Sequence, residues 1–141
     1  MGALRGSCLC GAVTFEVTAP PLRVGMCHCS RCRKHSGGAG LAQARFPIEA
    51  FRLCSGEAEI EVFRPEDGMA KAFCRRCGSS LFGGRWPNGP EVSIRLGAFD
   101  DDPPSGPQFH TFVGSRAAWD VLPDDGLPRY EGRLPPTRAS R

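Results

Sequence analysis

Short alternating runs, not long amphipathic ones, mark this chain. In Ala12-Val13-Thr14-Phe15-Glu16-Val17-Thr18, apolar Val13, Phe15 and Val17 alternate with polar Thr14, Glu16 and Thr18. A period of two predicts a strand with one buried face. Ala19-Pro20-Pro21 ends it, because proline brings no ladder donor. Ala58 to Phe63 and Val92 to Leu96 alternate in the same way. Leu41 to Phe46, Phe51 to Cys54, Ala70 to Phe73, Leu81-Phe82 and Phe109 to Val113 are apolar enough for further strands, and Leu22 to Met26 is a short apolar run. Ser55-Gly56-Glu57, Pro65-Glu66-Asp67-Gly68 and Trp86-Pro87-Asn88-Gly89-Pro90 read as turns. Lys34 to Gly40 and Asp100 to Pro107 read as loops, and Ser115 to Val121 as one helical turn. The pattern predicts one domain over 4–131 and a flexible, solvated tail over 132–141.

Composition sharpens this into a mostly β expectation. At 141 residues the chain can bury a real core, and its 18 glycines and 13 prolines suit a protein of strands and turns. A net charge of +3 is too mild to argue for nucleic acid or a membrane surface, so neither is expected as a partner. No stretch reaches the roughly 20 apolar residues of a membrane helix. Met1-Gly2-Ala3-Leu4-Arg5-Gly6 lacks an apolar export region, which predicts a cytoplasmic location. In a reducing compartment, eight cysteines read as metal ligands or reactive thiols before they read as disulfides.

Four of those cysteines form two close pairs, Cys8-x-Cys10 and Cys74-x-x-Cys77. Glycines flank the first pair in Gly6-Ser7-Cys8-Leu9-Cys10-Gly11 and permit a tight turn. Four thiolates are the complement of a closed tetrahedral structural zinc. Closing the loop between the pairs costs on the order of 4 kcal/mol of chain entropy. Zinc in small peptides returns about 10–16 kcal/mol, which offsets it. The alternatives are two disulfides or buried free thiols.

The remaining cluster is Cys27-His28-Cys29-Ser30-Arg31-Cys32-Arg33-Lys34-His35. It offers three thiols within six residues. Cys54 lies in an apolar run and reads as a buried small side chain. His28 lies between two ligands, where its ring tends to point away; His110 is too distant in sequence to place. Three protein ligands and one open position are the pattern of a catalytic zinc. Three thiolates leave such a unit with a formal charge of −1, a poor generator of hydroxide. Coordination instead lowers the pKa of an incoming thiol while the electron-rich metal leaves the sulfur nucleophilic. Cys27, Cys29 and Cys32 are therefore the candidate catalytic group, presenting a small thiol to an electrophile. Arg31 and Lys34 are the candidates for holding the thiol's carboxylates, Arg31 by bidentate contact. The plain alternative is a solvated basic turn.

At these residues the chain resembles a known family. Gly6 to Val13, Cys27 to Lys34, Phe73 to Phe82 and Leu127 to Glu131 are similar to motifs of the glutathione-dependent formaldehyde-activating enzymes and the centromere-protein-V-like proteins. The resemblance runs from about Leu4 to Glu131. It implies an Mss4-like fold, a β-tent of antiparallel sheets with zinc knuckles and little helix. It implies two zincs per chain, one structural at Cys8, Cys10, Cys74 and Cys77, the other catalytic at Cys27, Cys29 and Cys32. It also implies a carbon–sulfur lyase activity: reversible addition of glutathione to formaldehyde, giving S-hydroxymethylglutathione. Two other readings stay open, a zinc-stabilised binding module without turnover and a lyase acting on another glutathione adduct. Trp86, Trp119 and Tyr130 read as core or pocket-rim aromatics, Asp100-Asp101-Asp102 as loop, and Asp120, Asp124 and Asp125 as solvated acids.

Overall fold

A computed structural model describes residues 2–136. The predicted tail over 132–141 is thus described only to residue 136, and residues 137–141 lie outside the described residues. The strands are β1 (Leu4–Ser7), β2 (Thr14–Val17), β3 (Arg23–Cys27), β4 (Leu41–Pro47), β5 (Phe51–Ser55), β6 (Ile60–Phe63), β7 (Ala70–Cys74), β8 (Ser80–Gly84), β9 (Glu91–Arg95) and β10 (His110–Thr111). Between β3 and β4 lies one α-helix, α1 (Ser30–Ser36). Short 3-10 turns occupy Ile48–Ala50, Glu57–Glu59, Leu96–Ala98 and Val113–Ser115.

The strands form two sheets. One has the order β1-β2-β5; the other has seven strands in the order β10-β3-β4-β9-β8-β7-β6. All pairings are antiparallel except that of β10, which runs parallel to β3 with His110 opposite Met26 and Thr111 opposite Cys27. The fold is mostly β with little helix, as expected, and the parallel edge is the departure from a purely antiparallel arrangement. Gly25 permits it: a Cβ there would stand 2.3 Å from the Phe109 ring, which lies across β3.

The alternation read in the sequence sets the core. Phe15, Val17, Phe46, Phe82, Val92 and Ile94 are essentially without solvent contact and belong to one cluster. Phe15 meets Phe82 and Phe99 edge-on, at centroid distances of 5.2 and 5.5 Å, an arrangement that suits the ring quadrupoles. Trp86 joins this core and Tyr130 is half-buried, but Trp119 is 69% exposed and packs in no core.

The seven-stranded sheet has a second, polar face that positions the site. Register places Cys27 opposite Leu41, Gln43 opposite Arg95, Arg45 opposite Ser93, Gly83 opposite Ser93, and Lys71 opposite Gly83. Residues paired across antiparallel strands share a face. Cys27, Gln43, Arg45, Ser93, Arg95 and Lys71 therefore lie on one side, with the apolar cluster on the other.

Candidate functional site

The four paired cysteines meet at two turns. In the first, the Cys8 N–H donates to the Val13 carbonyl and the Val13 N–H donates to Cys8 Sγ at 3.3 Å. In the second, the Cys74 N–H donates to the Ser79 carbonyl and the Gly78 N–H to the Cys74 carbonyl. Gly11 (φ +80°) and Gly78 (φ +79°) supply the left-handed residues that both turns require. The Leu9 N–H donates to Ser79 Oγ at 2.9 Å and ties the turns together. All four sulfurs lie within 4.8 Å of one another, with Cys8–Cys10 at 3.6 Å and Cys10–Cys74 at 3.9 Å. Ligand sulfurs about 2.3 Å from a tetrahedral zinc stand about 3.8 Å apart, so the cluster fits that ion. Hydrogen bonds from Ser79 pull the Cys77 thiol down to about 5, favouring the thiolate that a metal needs. No disulfide joins these cysteines.

The second cluster comes from one continuous segment. Cys27 ends β3, Cys29 caps α1, and Cys32 lies in the helix's first turn. The Cys32 N–H donates to Cys29 Sγ at 3.3 Å, the usual service of an N-cap acceptor rendered here to a sulfur. Gly37, left-handed at φ +75°, ends the helix by donating its N–H to the Arg33 carbonyl. Arg33, Lys34 and His35 occupy the last turn, where the helix dipole favours positive charge. The helix thus extends to Ser36, through part of the stretch expected as a loop. The Cys27, Cys29 and Cys32 sulfurs also lie within 4.8 Å of one another. Crowding splits their acidities: hydrogen bonds from Cys27 and Cys32 pull Cys29 far down, while the Cys27 and Cys32 thiols are pushed up. A cation is what would let all three ionise together, so the donor set fits a thiophilic metal. No fourth Cys, His, Asp or Glu joins this trio among the described residues.

A cation that sequence spacing did not suggest touches one of these sulfurs. Lys71 Nζ stands 3.7 Å from Cys32 Sγ. Arg95, 4% exposed, lies across the polar face and donates through Nε to Ser80 Oγ and through Nη1 to Gln43 Oε1, both at 3.1 Å. Ser80 in turn contacts His35 Nδ1 at 2.8 Å. Burial, with Arg95 and Lys71 nearby, lowers the His35 pKa to about 4, so its ring is neutral and accepts from Ser80. Gly83 leaves room for Arg95, since a Cβ there would stand 2.6 Å from its Nη1. Arg31, by contrast, donates to Asp67 Oδ1 at 2.7 Å, and Lys34 is exposed.

His28 turns away from the sulfurs, as its position between two ligands suggested. Its Nε2 meets His110 Nδ1 at 2.9 Å, and His110 Nε2 meets Asp125 Oδ2 at 2.8 Å. The carboxylate accepts, so His110 carries its proton on Nε2 and takes one from His28 Nε2. Asp125, read as a solvated acid, is held by His110 below the usual carboxylate range. Met26, His28, His110 and Asp120 line a 270 Å³ cavity that none of the three cysteines borders. Cys54 is on β5 but exposed, not buried, and outside both clusters.

Two knuckles on a twin-sheet β scaffold, one with four sulfurs and one with three, define a class of β protein whose sulfur clusters could each hold a metal ion. Residues 3–115 match the family model of the glutathione-dependent formaldehyde-activating enzyme, and the chain belongs to that family. It is 32% identical over 152 residues to a Halomonas elongata protein provisionally named a glutathione-dependent formaldehyde-activating enzyme, covering 93% of this chain and 96% of that one. A crystal structure of a Rhodobacter sphaeroides protein shares the fold, with a TM-score of 0.57 and 22% identity over 89% of this chain and 98% of the other. No helix among the described residues is long and apolar enough to cross a membrane.

Proposed function

We propose that this protein is a zinc-dependent carbon–sulfur lyase that adds a glutathione-like thiol to a small aldehyde, reversibly. The observation that carries the reading is the trio Cys27, Cys29 and Cys32, whose sulfurs converge without a fourth protein ligand among the described residues. Zinc held there supplies a lowered thiol pKa and a nucleophilic sulfur. Cys8, Cys10, Cys74 and Cys77 hold the structural ion. In the reaction the substrate's sulfur lone pair forms the C–S bond with the aldehyde carbon. The thiol's proton leaves to solvent, the carbonyl π pair moves to oxygen, and that oxygen takes a proton back from water, leaving a hemithioacetal with no net change in protons. The protein's part is to hold the thiol and to balance its charge. Family membership and the name of the Halomonas elongata relative support glutathione and formaldehyde as the substrates.

The test is calorimetric binding of glutathione to the metal-loaded protein, together with the rate of S-hydroxymethylglutathione formation. A thiol adds to formaldehyde quickly without help, so the rate is read against an equal concentration of the Cys29→Ser variant. Binding with a rate several-fold above that control is expected. No binding and no rate gain would leave a metal-stabilised binding module.

A further inference from the structure

Four arginines among the described residues are paired with carboxylates: Arg23 with Glu91, Arg31 with Asp67, Arg52 with Glu16 and Arg75 with Glu59. Three cations on the polar face of the seven-stranded sheet are in none of the salt bridges among the described residues: Lys71, Arg45 and Arg95. All three share that face with Cys27. The acid on that face, Glu91, is taken up by Arg23 at 2.7 Å, and gathering the three remaining like charges there is unfavourable unless an anion compensates them. The desolvated site lowers the pKa of Arg45 and takes Arg95 down to about 10, the sign of cations short of partners.

The three thiolates and a divalent ion leave one negative charge, while Lys71, Arg45 and Arg95 bring three positive ones. The incoming sulfur, bound as a thiolate, would add a second negative charge, so one positive charge remains, which matches a carboxylate on the thiol. Arg95 is fixed from below by Ser80 and Gln43, yet its Nη2 is buried without a partner. Lys71 and Arg45 are only half-buried, so a ligand can reach them. Lys71 is also the cation that touches a site sulfur, 3.7 Å from Cys32 Sγ.

We propose that Lys71 and Arg45 are the specificity-determining residues of the three-sulfur site, binding a carboxylate of the incoming thiol, with Arg95 beneath them as a fixed positioning charge. The site thereby selects anionic thiols over neutral ones of equal reactivity. This rests on the thiol-binding reading above. Arg31 and Lys34, the candidates from sequence spacing, make the comparison set.

The experiment titrates metal-loaded protein with glutathione and with 2-mercaptoethanol, a thiol without a carboxylate. Lys71→Met, Arg45→Met and Arg31→Ala/Lys34→Ala are compared, with metal content measured for each. Lys71→Met is expected to weaken glutathione binding about 10- to 100-fold, the loss of a charged hydrogen bond, and to leave 2-mercaptoethanol unchanged. Lys71→Arg should restore glutathione binding to within a few-fold. Raising the salt concentration should weaken glutathione alone. Equal loss for both thiols, no loss, or a larger loss in the Arg31/Lys34 variant would overturn the assignment. Wild-type protein that binds both thiols equally sinks the assignment while the thiol-binding reading survives; wild-type protein that binds neither sinks both.

Discussion

His35 illustrates how a single side chain records its surroundings. Its ring accepts from Ser80, packs edge-on to Phe73 at a 6.2 Å centroid distance, and faces Arg95 and Lys71, so a proton there is unwelcome. Its folded pKa of about 4 lies below the ordinary 6.5, so the unfolded chain binds more protons between those values. Stability is then lost as pH falls through that window, by about 1 kcal/mol between pH 7 and 5 once solvent screening of the half-buried ring is allowed for. His35→Gln should flatten this dependence, read from urea midpoints at the two pH values. Nothing in the sequence near His35 announces this, because Ser80, Arg95 and Lys71 come from three other strands. Asp125 teaches the same lesson. It is exposed, as expected of a solvated acid, yet the pairing of His110 with Arg129 sets an imidazole against it.

Elements were legible wherever a period was. β2, β6 and β9 follow their alternation, and β4, β5, β7 and β8 fall within a residue or two of their apolar runs. α1 was not legible beyond its cysteines: it has seven residues, only Cys32 is buried, and no apolar stripe repeats. Cys54 misled for a related reason. An apolar neighbourhood does not say which face a strand residue takes, and this one faces out. Close packing between elements can be tested at Gly6, where β1 crosses the Phe15 ring. A Cβ there would stand 2.1 Å from Phe15 Cζ and 2.6 Å from the Ala98 carbonyl oxygen. Gly6→Ala should cost about 3 kcal/mol in a chemical denaturation series, since neither the core ring nor the backbone can withdraw.

At the scale of the whole molecule the two sulfur clusters behave differently. The four-sulfur cluster draws its ligands from turns 64 positions apart in sequence, joining the small sheet to the large one. A structural zinc there would contribute about 10 kcal/mol or more, comparable with the entire stability of a domain. Cys74→Ser should therefore lack a cooperative thermal transition by circular dichroism. Cys29→Ser should melt as a folded protein and carry one metal fewer per chain by elemental analysis. Cysteine spacing alone pointed to both clusters; the sheet register that sets Lys71, Arg45 and Arg95 on the same face as Cys27 could not be read without the fold.

That Cys27, Cys29 and Cys32 belong to one strand end and one helical turn separates maturation from folding. Under the proposed function, the scaffold would be finished while its thiol-binding centre is still unfurnished, and would wait in that condition. Output in a cell would then follow the supply of the second ion, and starvation for it would leave an intact, idle protein instead of a degraded one.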